Sequence, residues 1–186
     1  MNAYLLFLLL FFVSEVSLLV LRRSQKAAVK SQHDSQSLLY LWIIITGCML
    51  TGYVIARQHI WMSGNPLLSE MLGIFIIIAG FIFRWVAIIQ LGAMFTVDVS
   101  ISNNHTLKTD GLYKMVRHPT YWGLILIIFG LAVLMDSILS CIVIVIPIFL
   151  IINYRIAVEE KSLINEFGNQ YLDYKYRVKK IIPLLY

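Results

Sequence analysis

Four stretches of this chain are apolar enough to lie in a bilayer, and they constrain the fold more than any other feature. A membrane-spanning helix needs roughly 20 consecutive apolar residues. Residues 1–21, 38–56, 67–91 and 121–152 supply such runs. The first holds one charge, Glu15. The third holds Glu70 near its start and Arg84 deeper in, and the fourth holds Asp136 with Ser137 beside it. The fourth run is too long for one crossing. It reads as a helical hairpin that turns at Asp136 and Ser137, with Pro147 kinking its second arm. The count is then five spans. Composition agrees: 60% of the residues are hydrophobic and 13% are charged, against about a quarter charged in a soluble domain. Such a chain cannot cover a water-exposed globule with polar surface. Residues 1–21 lack a basic leader and a small-residue cleavage site, so they read as an anchor and not as a cleaved signal peptide.

The basic residues test this count. Thirteen of the fifteen Lys and Arg fall in the segment after the first span, in the connection 92–120, or in the tail from Arg155. Only Arg57 lies in the loop 57–66, the hairpin turn has none, and Arg84 is inside a span. The positive-inside rule then puts the N-terminus outside and the C-terminal tail in the cytoplasm. The net charge of +5 is therefore mostly topology, and nucleic-acid binding has little support. Cys48 and Cys141 sit in apolar runs without a C-x-x-C spacing, which gives neither a disulfide framework nor a metal site. His33, His59, His105 and His118 are scattered without metal-ligand spacing. His33 and His59 read as ordinary loop residues. No dinucleotide-binding glycine pattern, P-loop, zinc-protease motif or serine-hydrolase elbow is present.

Glu15 and Arg84 each lie about two turns before the cytoplasmic end of their span. Intramembrane charges are expensive and are usually paired or cavity-facing. Two readings stand: the two residues pair or line a polar cavity, or Arg84 snorkels to the interface and Glu15 is protonated.

Two cytoplasmic segments remain for chemistry. Residues 105–121 read HTLKTDGLYKMVRHPTY. Thr109-Asp110-Gly111 is a turn signal. Pro119 biases His118 towards an extended conformation and can start the next helix. Arg117 and His118 should then sit on a bend where the chain re-enters the membrane, beside helix N-terminal amides that favour an anion. Tyr113, His118, Tyr121 and Trp122 add aromatic faces. The same residues would also make an interfacial aromatic belt. The second segment follows the last span, where Arg155 and Glu159 share a helix face at i, i+4 and Glu160 is adjacent. A carboxylate there could accept from ribose hydroxyls or neutralise a sulfonium, and the arginine could hold a substrate carboxylate. A solvated helix with an ion pair would look the same. The tail predicts a helix from about Ile156 to Tyr174, with Gly168 as a break.

The runs 95–123 and 154–185 together resemble the isoprenylcysteine carboxyl methyltransferase family, part of a wider group of small membrane methyltransferases that includes phospholipid N-methyltransferases. The shared pattern is R-H-P-x-Y (Arg117 to Tyr121), then R-x-x-x-E-E (Arg155, Glu159, Glu160). It ends in F-G-x-x-Y-x-x-Y with a basic stretch and Pro (Phe167, Gly168, Tyr171, Tyr174, Pro183). The first two spans carry none of it. The resemblance implies an all-α integral membrane protein of five transmembrane helices, the last two a hairpin, with a cytoplasmic C-terminal helix closing a cofactor pocket. It divides the chain into a two-helix membrane segment, 1–66, and a methyltransferase-like core, 67–186.

The cofactor it implies is S-adenosyl-L-methionine. His105, Thr106, Leu107, Lys108, Tyr113, Arg117, His118, Pro119, Thr120, Tyr121, Glu159 and Glu160 would bind it. Arg155 would orient the acceptor's carboxylate, with Glu159 beside it at the reacting end. Asp98 stands where some relatives carry an amide and is left out of this set. No metal is implied. The acceptor would be lipophilic and would enter from the bilayer. An isoprenylcysteine carboxylate is the first expectation, and a phospholipid, phenol, thiol or isoprenoid acid would fit the same site. Two rival readings remain. An NADPH-dependent membrane reductase of the sterol-reductase type shares the R-H-P-x-Y run and the Ile182-Pro183 ending but is much longer. A non-enzymatic membrane scaffold explains the spans but not the Arg155–Glu159 spacing.

Overall fold

The computed structural model describes residues 2–21, 32–59, 61–62, 64–92 and 107–182. Among them the chain is all helical: α1 (Asn2–Leu21), α2 (Gln32–Arg57), α3 (Pro66–Leu91), a 3₁₀ turn (Gly111–Lys114), α4 (Pro119–Val133), α5 (Ile138–Phe167) and α6 (Asn169–Arg177). Among the described residues, three helical stretches are long and apolar enough to cross a membrane: Gln36–Arg57, α3 and α5. The apolar parts of α1 (Ala3–Leu18) and α4 are shorter.

Local sequence sets the boundaries. Asn65 caps α3 by accepting from the Leu68 amide at 3.1 Å, and Pro66 occupies the first turn. Pro119 opens α4, and His118 before it, at φ −123° and ψ 62°, is non-helical but not in the extended conformation expected. The turn expected at Asp136 and Ser137 is present. Asp136 takes φ 53°, and Ser137 then caps α5 by accepting from the Ser140 amide at 3.3 Å. Gly168, at φ 52°, ends α5 with its amide on the Ile164 carbonyl at 2.9 Å. Two expectations are corrected. His33 lies in the first turn of α2 and not in a loop. The tail does not start a new helix near Ile156, because α5 runs unbroken to Phe167 with no Gly or Pro after Pro147 to stop it. Thirty residues make a helix of about 45 Å, so its last turns project beyond the apolar run that ends at Ile152.

The tightest packing is between α3 and α4. Gly73 and Gly80 on α3 face Gly130 and Gly123 on α4. A Cβ on Gly80 would lie 2.8 Å from the Ile127 amide nitrogen, and one on Gly123 would lie 2.7 Å from the Arg84 nitrogen. The two backbones are therefore in contact, as small residues allow in membranes. α2 runs along α5, and its Gly52 carbonyl accepts from the Ser140 hydroxyl at 2.8 Å. α1 lies against α4 and stacks Tyr4 on Tyr53 of α2 at 5.6 Å. Ile45, Ile77, Ile127, Ile144 and Ile148 form the centre of the core. Leu67, Met71, Phe75, Ile78, Ile82 and Ile89 leave one face of α3 exposed and apolar, as a lipid-facing helix requires.

The two ends of the bundle differ. At one end, Trp61 accepts from the Ile138 amide at 2.9 Å, and Ser69 donates to Asp136 at 2.6 Å. The other end gathers the 3₁₀ turn, the start of α4, the last turns of α5, and α6. Near that end Glu15 and Arg84 pair: Nε and Nη2 of Arg84 donate to the two carboxylate oxygens at 2.8 and 2.7 Å, and both side chains are buried. The pairing alternative of the sequence reading holds.

Candidate active site

The site is built around the bend before α4. The Arg117 and His118 amides donate to the Lys179 and Lys180 carbonyls at 2.8 and 3.0 Å. This short parallel pairing fixes the bend against the segment after α6. The Tyr174 hydroxyl donates to the Tyr113 carbonyl at 2.5 Å, which holds α6 on the 3₁₀ turn. Tyr113 in turn donates to the Ala87 carbonyl at 3.3 Å, and Gln90 accepts from the Leu112 amide at 2.9 Å. The Thr120 carbonyl accepts from Nη1 of Arg84 at 2.9 Å. The intramembrane ion pair and the first turn of α4 are thus one connected piece.

Glu160 is the hub of the charges. Arg117 donates to its Oε1 through Nε and Nη2 at 3.0 and 2.7 Å, and Lys175 reaches its Oε2 at 2.7 Å. Nε2 of His118 lies 3.3 Å from Oε1. Arg117 also donates to the Lys175 carbonyl at 3.1 Å and to the Val178 carbonyl. Burial opposes the charge on Glu160, but the bonds from His118, Lys175 and Arg117 outweigh it and hold the carboxyl well below the usual carboxylate range.

Glu159 is different. Nδ1 of His118 lies 3.9 Å from its carboxylate, and its side chain keeps 30% exposure. It is a carboxylate with open surface, whereas both oxygens of Glu160 are already bonded. Arg155, one turn earlier, is 1% exposed and donates from Nη1 to the Ser37 hydroxyl of α2 at 2.5 Å. Tyr121 lies beside both Arg155 and Glu159, and its ring centroid is 5.9 Å from that of His118. Tyr171 is buried against Tyr174, at 6.0 Å between ring centroids. Its hydroxyl lies by the Arg117 guanidinium without a hydrogen bond of ordinary geometry among the described residues, and Glu160 and Glu159 are its other charged neighbours. Burial, then the two carboxylates, raise its pKa against the lowering effect of Arg117.

The structure therefore brings together Tyr113, Arg117, His118, Pro119, Thr120, Tyr121, Arg155, Glu159 and Glu160. Leu107 is half-buried, and Lys108 pairs with Asp110 at 2.9 Å rather than with that cluster. His105, Thr106 and Asp98 lie outside the described residues. Sequence reasoning missed Ser37, Lys175 and the bonding of Tyr174. The i, i+3 spacing of Tyr171 and Tyr174 on a short polar helix was the available signal for that last contact. Nothing near Ser37 in the sequence signals its role.

The arrangement offers an open carboxylate, a buried guanidinium, an imidazole and a buried phenol at one end of an apolar bundle. Residues 71–165 match the isoprenylcysteine carboxyl methyltransferase (ICMT) family. The chain is 33% identical over 131 residues to protein-S-isoprenylcysteine O-methyltransferase B of Arabidopsis thaliana, covering 69% of this chain and 63% of that protein. It is also 33% identical to the Rattus norvegicus protein-S-isoprenylcysteine O-methyltransferase, over 69% of this chain and 44% of that one. The chain thus spans less than two thirds of the length of these relatives. Its fold is shared with the eukaryotic intramembrane Ras methyltransferase ICMT, with a TM-score of 0.59 at 24% identity, covering 84% of this chain and 54% of that structure. With its matched segment taking in just over half of its residues, the chain belongs to the isoprenylcysteine carboxyl methyltransferase family.

Proposed function

We propose that this chain methylates the carboxylate of an isoprenylcysteine, or of a similar isoprenoid or lipid acid, using S-adenosyl-L-methionine. It would cross the membrane five times through α1 to α5, with the N-terminus outside and α6 over a cytoplasmic cofactor pocket. The observation that carries this reading is Arg155. A guanidinium that is 1% exposed sits at the end of the apolar run of α5, one turn from an open carboxylate. A buried arginine of this kind is a fixed seat for an anion.

The residues fit the cofactor. Glu159 can accept from ribose hydroxyls or face a sulfonium. His118 and Tyr121 supply ring faces, and the first turn of α4 has no side-chain cap, which leaves the Thr120 and Tyr121 amides for an anionic group. Leu107 and Lys108, with His105 and Thr106, would complete the pocket. Arg117 and Glu160 act by holding the bend in place. When bound, S-adenosylmethionine supplies a methyl group on a sulfonium, which a carboxylate accepts without losing a proton. No general base is then needed, and Arg155 orients the acceptor as a permanent cation. The work left to the protein is alignment and exclusion of water at the interface between bilayer and cytoplasm.

The reductase reading is weaker on the same geometry. The extra phosphate of NADPH needs cations, and Arg117 and Lys175 are already paired with Glu160. The test is calorimetry on the detergent-purified protein with S-adenosylhomocysteine and NADPH, followed by radiolabelled methyl transfer to an S-farnesylated cysteine. Binding of S-adenosylhomocysteine and labelling of the probe are expected. Binding of NADPH alone would overturn the reading.

A further inference from the structure

α2 carries no family motif, yet it places one hydroxyl on the central cation of the site. Ser37 is fully buried, and its Oγ lies 2.5 Å from Nη1 of Arg155, which is 118 residues away in sequence. Arg155 also neighbours Tyr121 of α4. The guanidinium thus contacts residues of two helices that are not neighbours in the chain.

A guanidinium reads a carboxylate well only when two parallel N–H groups point at it, so its plane matters. Arg155 has four rotatable side-chain bonds, and burial alone does not set the last of them. A hydroxyl that accepts from one terminal nitrogen does set it, and in a dry interior no water competes for that bond. We infer that Ser37 is a positioning residue: its hydroxyl fixes the Arg155 guanidinium in the plane that receives the acceptor's carboxylate. This rests on the role of Arg155 proposed above. It makes α2 part of the reaction site and not only a membrane anchor.

The test compares Ser37→Ala, Ser37→Thr and Arg155→Ala in the full chain purified in detergent. Calorimetry with S-adenosylhomocysteine reports the cofactor side and the folded fraction. Transfer of radiolabelled methyl to an S-farnesylated cysteine gives kcat and KM. Ser37→Ala removes one oxygen from a bond to a charged group, so kcat is expected to fall about tenfold or more, with S-adenosylhomocysteine affinity unchanged. Ser37→Thr keeps the hydroxyl and is expected to recover most of the rate. A wild-type kcat in Ser37→Ala would overturn the proposal. So would a Ser37→Thr variant as slow as the alanine, or a rate loss matched by an equal loss of S-adenosylhomocysteine binding. A silent Ser37→Ala beside an inactive Arg155→Ala removes the role of Ser37 alone. A fully active Arg155→Ala removes the proposed role of Arg155 and this one with it.

Discussion

Glu159 and Glu160 are neighbours in the chain, and a helix turns neighbours about 100° apart. That rotation separates their roles. Glu160 is bonded by Arg117 and Lys175 and lies by His118, whereas Glu159 lies by Tyr121 and the other edge of the His118 ring and stays 30% exposed. Glu160→Gln should therefore act on stability, because it leaves Arg117 buried beside a neutral amide. A loss of about 3 kcal/mol is expected from thermal unfolding in detergent; Lys175 is 41% exposed and adds little to this. Glu159→Gln should leave the unfolding temperature unchanged and weaken S-adenosylhomocysteine binding. The pH dependence follows the same split. The folded-state pKa of Glu160 lies below its ordinary value, so the unfolded chain takes up the proton first as pH falls. The stability from this group is complete above the ordinary value of 4.5 and is lost as pH falls below it towards the lowered folded value. Unfolding temperatures measured downwards from pH 6 should drop less steeply in Glu160→Gln than in the wild type. An equal slope would mean that Glu160 is not the hub.

At the scale of elements, the α3–α4 contact depends on glycine. A Cβ on Gly123 would lie 2.6 Å from the Arg84 Cβ and 2.8 Å from its Cα. Those atoms belong to backbone or its first branch and cannot swing away. Gly123→Ala should separate the helices and lower stability by about 1–3 kcal/mol. Gly47→Ala meets nothing within 4 Å on α2 and should be neutral or raise stability by up to about 1 kcal/mol. The two variants, unfolded side by side, check the contact. This interface was not legible in the sequence, since a seven-residue glycine spacing inside apolar runs carries no local punctuation. What was legible had punctuation: Pro119 before α4, Asp136–Ser137 at the hairpin, Gly168 after α5. The two motifs were also legible, because R-H-P-x-Y forces a bend and R-x-x-x-E-E shares a helix face. The Ser37–Arg155 bond was not, because it joins residues 118 apart through packing alone. The continuous α5 was missed because a change from apolar to polar composition does not end a helix; only the positive φ of Gly168 does.

At the scale of the molecule, the helices without motifs hold those that carry them. α1 supplies Glu15 to Arg84, and Arg84 also holds the Thr120 carbonyl at the start of α4. A buried pair of this kind is costly to break and cheap to replace whole, since removing one partner strands a charge while removing both strands none. Glu15→Leu and Arg84→Met should each destabilise the protein by about 3–5 kcal/mol, and the double variant should lose far less than their sum. The coupling read from thermal unfolding tests the pair as an assembly device. The Thr120 bond adds a second, separable expectation. The double variant restores charge balance but leaves the first turn of α4 without its tether, so it should fold well and still bind S-adenosylhomocysteine more weakly than the wild type. Additive losses in the double variant would mean that Glu15 and Arg84 act independently. Full recovery of both stability and binding would mean that Arg84 only balances charge and does not position the bend that carries His118 and Tyr121.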